Sequence, residues 1–528
     1  MRAAYKLVLT LLFCGFSFSA AWGQCPARPA SGTVVQDALS LYSQNGVLNA
    51  GLNLGYSVDQ YGYTHYCYRY QSSNGVVESP TLRVNPGDKL MLNVTDSIPT
   101  NSPDGRNGMH MHAAAPAGTT CGDGGTATLQ STNVHFHGLN VPPTCHQDDV
   151  LTTLIQPGDG PFQYSIQIPT TEPPGLYWYH PHVHGFTEFQ VNGGAAGALV
   201  VEGMDKVRPE VSGLPERVFV IRQQYLVPWV PGPYQLTINY QTTTAPGNPL
   251  TPIIQMKPGQ KEFWRVANAT LQDFMPVQVL VNGAPEQLEL VALDGYPLSA
   301  TRMENTILIP PAGRAEFIVT APASGGSGTF QTLAYNTGLT GNADILQAFA
   351  TIQLVDDNSA AKAPVNPIAP GPKMSLDGIK FAGLKNAAPT ASRSLFFSEE
   401  FGGTNGPIQF YVTVDGQKQV VFNPNEAPAI TTKVGAVEDW TIENRALETH
   451  AFHIHQIHFM MLEVDGKAVP NDMRDTIEIP YWTGSGPYHS VKVRMDFTDP
   501  TIAGTFVFHC HILLHEDLGM MHKILVQP

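Results

Sequence analysis

The chain has 528 residues, too many for one hydrophobic core and enough for three domains of ~150–200 residues. Only 14% of the residues are charged, while Gly (49) and Pro (43) are abundant, which fits short strands and tight turns rather than long helices. A formal charge of −15 at pH 7 argues against nucleic acid as a partner.

Residues 1–23 read as a cleavable secretion signal. Arg2 and Lys6 supply the positive start, Leu7 to Phe18 the apolar run, and Ala21-Trp22-Gly23 a small-residue end. The run is too short for an anchor, and no later apolar stretch reaches the ~20 residues of a membrane span. The mature protein is therefore expected to be soluble, and secreted or periplasmic. No twin-arginine pair precedes the run, so export is expected to be unfolded, with any metal loaded outside. Losing Arg2 and Lys6 leaves 27 basic against 44 acidic residues, a net −17.

Cleavage also removes Cys14, leaving five of six cysteines. An odd thiol in an exported protein needs a reason to stay free, and Cys510 has one if it holds metal. Cys25, Cys67, Cys121 and Cys145 allow three disulfide pairings, of which Cys25–Cys67 with Cys121–Cys145 is favoured.

Three segments share a pattern: VNPGDKLMLNVTD (84–96), MKPGQKEFWRVAN (256–268) and TKVGAVEDWTIEN (432–444). Each has a turn glycine, then an alternating strand closing near Asn or Asp. Gly87, Gly259 and Gly435 recur at a domain-sized interval, which predicts one β-domain type used three times. GALVVEG closes the first domain at Gly203, giving 24–203 and then 204–355. The Pro- and Ala-rich stretch 356–373 reads as a linker before 374–528. Strands such as Gly504 to Phe508 predict antiparallel sandwiches.

The histidines carry the chemistry. With 18 His in 528 positions, a random order yields roughly 0.6 His-x-His pairs. There are six: 110/112, 135/137, 180/182, 182/184, 453/455 and 509/511. On a strand, such a pair puts both imidazoles on one face, ~7 Å apart. In HCH, His509 and His511 therefore face one way and Cys510 the other. In THAFHIHQ, His453 and His455 share a face while His450 turns away, free to join Cys510. His515 and Met520 follow in the next loop. One thiolate, two imidazoles and a weak axial Met suit a blue-copper electron-transfer site. His135/His137, His180/His182, His453/His455 and His509/His511 give eight neutral ligands, which suit several copper ions between domains. Zinc is the runner-up metal, but structural zinc takes about four ligands and no redox-tuned neighbour.

Four segments, HFHGLNVPP (135–143), YWYHPHVHG (177–185), HAFHIHQ (450–456) and HCHILLHEDLGMM (509–521), carry a resemblance to the three-domain multicopper oxidases, the family of laccases, bilirubin oxidases and cuprous oxidases. The likeness is nearest to bacterial-type, laccase-like members. It implies an all-β chain of three consecutive cupredoxin-like Greek-key β-sandwiches. It also implies four copper ions: type 1 on His450, Cys510, His515 and Met520; type 2 on His135 and His453; and a type 3 pair on His137, His180, His182, His455, His509 and His511. Glu516 matches the family's cluster-facing carboxylate, and Asp148 or Asp149 the acid near type 2 copper. Ala451, Gln456 and Phe136 stand where the family often has Pro, Gly and Trp.

The implied activity is one-electron oxidation of a small reducing substrate, phenolic or an aromatic amine, coupled to four-electron reduction of dioxygen to water. The alternatives are a cuprous or ferrous ion oxidase and a bilirubin oxidase-like activity. Metal-oxidising relatives carry a Met-rich insert in the third domain, and the linker through Lys373 has no Met. A copper-free scaffold is disfavoured because every ligand is present, and a two-domain nitrite reductase by length. A monomer without nucleic-acid or membrane partners is expected.

Other residues tempt over-reading. His184 is expected near the cluster without being a ligand, His458 and His489 as strand or rim histidines, and His146 as loop structure. Met109-His110-Met111-His112 could take Cu(I) but reads first as a surface loop. Asn93 and Asn268 sit in glycosylation sequons, meaningful only in a eukaryotic host.

Overall fold

In the computed structural model, which describes residues 24–58, 64–99, 121, 127–224, 235–355, 375–401 and 408–528, the three repeats occupy equivalent places. Gly87, Gly259 and Gly435 have φ of 88°, 67° and 95°, left-handed values that only glycine adopts without strain. Each precedes a strand: Lys89–Asp96, Lys261–Ala269 and Ala436–Asn444. Each of these pairs in parallel with an earlier strand, respectively Val47–Val58, Glu216–Gln224 and Ala391–Phe401. Asp96, Asn268 and Asn444 each accept the backbone N–H two residues on, at 2.8, 3.1 and 2.9 Å. One turn, one strand and one Asx-type stop are used three times.

Alternation drives the strands. In Lys89–Asp96 the side chains of Leu90, Leu92 and Val94 are buried while Lys89, Met91 and Asn93 face outward. His489–Phe497 repeats this with Val491, Val493, Met495 and Phe497 inward. The strands form six sheets in three pairs. The first pair has two five-stranded sheets, one ordered Ser40–Tyr42, Thr81–Val84, Gly197–Val201, Gly175–His180, His135–His137. The second pair, of seven and six strands, lies between Glu216 and Leu354. The third has a seven-stranded sheet and a five-stranded sheet ordered Ile430–Lys433, Met521–Gln527, Gly504–Cys510, His450–Ile454, Thr476–Ile479. The molecule is an all-β chain of three cupredoxin-like domains, each with its own core. Among the described residues no helix is long and apolar enough to cross a membrane.

Both favoured disulfides, Cys25–Cys67 and Cys121–Cys145, are formed, and Cys510 is the free cysteine among the described residues. Asn268 is fully buried, its amide donating to the Asp273 and Ile309 carbonyls, so the folded chain offers no glycan acceptor there. The leader 1–23, the Met109 to His112 loop and the linker 356–373 lie outside the described residues.

Candidate metal centres

Strand pairing decides which imidazoles meet. His450–Ile454 runs antiparallel to Gly504–Cys510, with Phe452 opposite Cys510 and His453 opposite His509. His135–His137 runs antiparallel to Gly175–His180, with His135 opposite His180. Cys510 and Met520 point into the third domain's apolar core. His509 takes the opposite face, toward the first domain, where its Nε2 lies 3.4 Å from His182 Nε2 and 3.2 Å from His455 Nε2. Neighbours on one strand therefore face two candidate donor clusters.

At the first centre His450 Nδ1 lies 3.4 Å from Cys510 Sγ and 3.3 Å from His515 Nδ1. His515 Nδ1 is 3.9 Å from the same sulfur. Met520 is fully buried beside them, its N–H donating to the His515 carbonyl at 2.8 Å. Burial pushes the Cys510 thiol well up, so a bound cation is what would hold it as thiolate. Both histidines turn their Nε2 edges outward to carboxylates: His450 to Glu399 at 3.3 Å and His515 to Glu448 at 3.7 Å. Burial, then the nearby Glu399 charge, pushes Glu448 up to about 8. Phe410 stacks on the His515 ring at 4.0 Å.

At the second centre the two domains meet ring on ring. His135 stacks on His455 and His137 on His453, each pair at 3.9 Å and 16°. Six of the eight imidazoles, at 135, 137, 180, 453, 455 and 511, keep a buried ring nitrogen with no hydrogen-bond partner. His182 and His509 aim their Nε2 atoms at each other. Buried polar atoms are ordinarily satisfied, so this cluster of orphans fits metal ions. Burial, and then the neighbouring imidazoles, hold His135, His137, His182, His455 and His511 well below the ordinary histidine value. The rings are neutral and offer lone pairs.

Partners outside the cluster fix the rings. Nδ1 of His180, His453 and His509 donates to the carbonyls of Pro181, Asp475 and Cys510 at 2.8, 2.8 and 3.0 Å. His135 Nδ1 sits 3.0 Å from each oxygen of Asp148, which burial pushes up to about 7. His137 Nε2 lies 3.4 Å from Asp475 Oδ1. Burial opposes ionisation of Asp475, but Arg314 outweighs it with two hydrogen bonds of 2.7 and 2.6 Å and holds the carboxyl down at about 2. Gly138, at φ 88°, makes room, since a Cβ there would clash with Arg314 Nη2 and Asp475 Oδ2. Glu516 places its oxygens 3.2 Å from His509 Nδ1 and 3.5 Å from His182 Nε2.

The other expected residues sort by contact. Asp149 accepts the Leu151 and Thr152 amides at 3.1 Å, capping its own turn, because its side chain points away from the strand that carries His135. Asp148 alone of the two touches an imidazole of the cluster. His184 lines a narrow cavity of about 30 Å³ beside His182, its ring edge-on to Phe422. His146 is an exposed loop residue bonded to the Gln163 carbonyl, and His489 pairs with Asp465 at the rim. His458 is no rim residue: it is buried where all three domains meet, between Asn140, Asp294 and Asp475. Sequence reasoning missed Asp475, Arg314, Glu399 and Glu448. Only Glu448, two residues before His450, carried a local signal.

Comparison with known proteins agrees with this geometry. Sequence models of the multicopper oxidase family match residues 126–206, 218–357 and 403–528. The chain is 25% identical over 461 residues to Multicopper oxidase mco of Staphylococcus haemolyticus, covering 86% of this chain and 83% of that one. It is 23% identical over 400 residues to a laccase of Bacillus subtilis, covering 67% and 71%. Its fold superposes on a multicopper oxidase from Campylobacter jejuni, titled a metallo-oxidase, with TM-score 0.67 and 24% identity over 95% of this chain and 96% of that one. The chain belongs to the multicopper oxidase family: it is a copper-dependent oxidoreductase that passes electrons from a reducing substrate to dioxygen.

Proposed function

We propose that the chain holds four copper ions and acts as a laccase-like oxidase after export. His450, Cys510, His515 and Met520 would hold the type 1 ion. His135 and His453 serve type 2, and His137, His180, His182, His455, His509 and His511 the type 3 pair. Copper held there would supply one-electron chemistry, in which four electrons from the reducing substrate and four protons convert one dioxygen to two waters. The observation that carries the reading is covalent: Cys510 of one donor set is peptide-bonded to His509 and His511 of the other. Glu516, buried between His182 and His509, is the group proposed to hold a proton for the reduced oxygen. Asp148 orients His135, and Asp149 has no part.

Phenols or aromatic amines are the leading substrates. Leu339, 72% exposed, donates its backbone N–H to the Leu447 carbonyl, three residues before His450, and Trp482, whose backbone N–H donates to the Ala446 carbonyl, forms an aromatic pair with Tyr488. An apolar, aromatic rim suits a flat organic ring. A second reading, cuprous or ferrous ion, is favoured by the Glu399 carboxylate at the Nε2 edge of His450, with the Glu448 carboxyl at that of His515. The Glu399 charge opposes an anionic tetrapyrrole such as bilirubin.

The test is oxygen uptake by copper-loaded protein with a methoxyphenol, Fe(II), Cu(I) and bilirubin side by side. One dioxygen consumed per four electrons without peroxide is expected. Hydrogen peroxide as the main product contradicts an intact three-copper site.

A further inference from the structure

Gln456 directly follows His455 and has φ of 62°, a left-handed backbone that favours glycine, the residue the family usually places there. No local hydrogen bond of the Asn or Asp kind explains a glutamine in that conformation. Its side chain does. Gln456 is 2% exposed, and its Nε2 donates to Asp148 Oδ2 at 2.6 Å, from the third domain into the first.

Asp148 is otherwise held by its own domain: Oδ1 accepts the Phe136 N–H at 2.9 Å, and both oxygens lie 3.0 Å from His135 Nδ1. With Nδ1 as the donor, His135 turns its buried, partnerless Nε2 into the cluster. Among the described residues, the amide of Gln456 is thus the one group from the opposite domain that hydrogen-bonds this carboxylate.

We infer that Gln456 is a positioning residue for His135, acting through Asp148 as a latch between the first and third domains. The backbone strain at residue 456 is offset by that single bond. A glycine relieves the strain and removes the latch, so it separates folding from ligand alignment. The inference rests on His135 being a type 2 ligand.

Gln456→Gly and the near-isosteric non-donor Gln456→Met test it. In each, the copper-free chain is compared by thermal unfolding, and the loaded chain by copper content and electron paramagnetic resonance during dialysis against a mild chelator. The expected result is type 2 copper lost severalfold faster in both variants, short of the roughly 10–100-fold loss of affinity typical of removing a ligand's direct partner. The type 2 hyperfine coupling shifts, the blue absorbance stays, and copper-free Gln456→Gly unfolds no earlier than the parent. Unchanged retention and hyperfine coupling in either variant overturns the latch. A parent protein without any type 2 signal instead refutes the metal assignment on which it rests.

Discussion

His450 Nδ1 and Cys510 Sγ lie 3.4 Å apart across two paired strands, while His453 and His509, one step along in that register and three and one residues away in the chain, belong to the other centre. The parity of two strands joins the two candidate donor clusters through covalent bonds.

Cys510→Ser removes the thiolate and with it the charge-transfer colour and substrate oxidation. The eight imidazoles are untouched, so the variant is expected to keep about three coppers by elemental analysis. A blue, active variant refutes the role of Cys510.

Glu399→Gln keeps the shape beside His450 and removes a charge. For Fe(II) or Cu(I), kcat/KM is expected to fall about tenfold, roughly 1.4 kcal/mol, while a neutral methoxyphenol changes less than about twofold. Equal losses for both substrates count against an electrostatic role.

Arg314→Met removes the guanidinium paired with Asp475, leaving that buried carboxyl behind His137 either to ionise without it or to take up a proton. The copper-free chain is expected to lose about 3–5 kcal/mol in denaturant unfolding. Adding Asp475→Asn should recover most of it. If the double variant is no more stable than Arg314→Met alone, the pair is not what holds this junction.

Asp344 in the second domain is half-buried against Asp273. Burial, then the Asp273 charge, pushes Asp344 up to about 9, and burial pushes Asp273 up to about 7. A raised carboxyl costs stability as pH rises above its unfolded value of 3.8, because the unfolded chain ionises first. Asp344→Asn keeps an acceptor for the Phe274 amide, which now bonds Asp344 Oδ2 at 2.9 Å. It should stabilise the copper-free chain more at pH 8 than at pH 4. An equal gain at both pH values removes the titration from the account.

Much of the molecule was legible in one dimension because its rules are local. Turn glycines with alternating strands announce a sandwich, and a period of two tells His509 and His511 from Cys510. Those are properties of neighbours a few residues apart. Asp475, Arg314 and Gln456 follow no such rule: they are placed by pairing between strands and domains hundreds of residues apart. The choice of Asp148 over Asp149 is likewise tertiary, since both are acids in one loop and only the fold turns one toward His135. The sequence by itself determined which residue types bind metal and on which strand face they stand. Only the tertiary structure decided which carboxylates reach the rings, because burial and close approach across a domain boundary are not encoded in spacing.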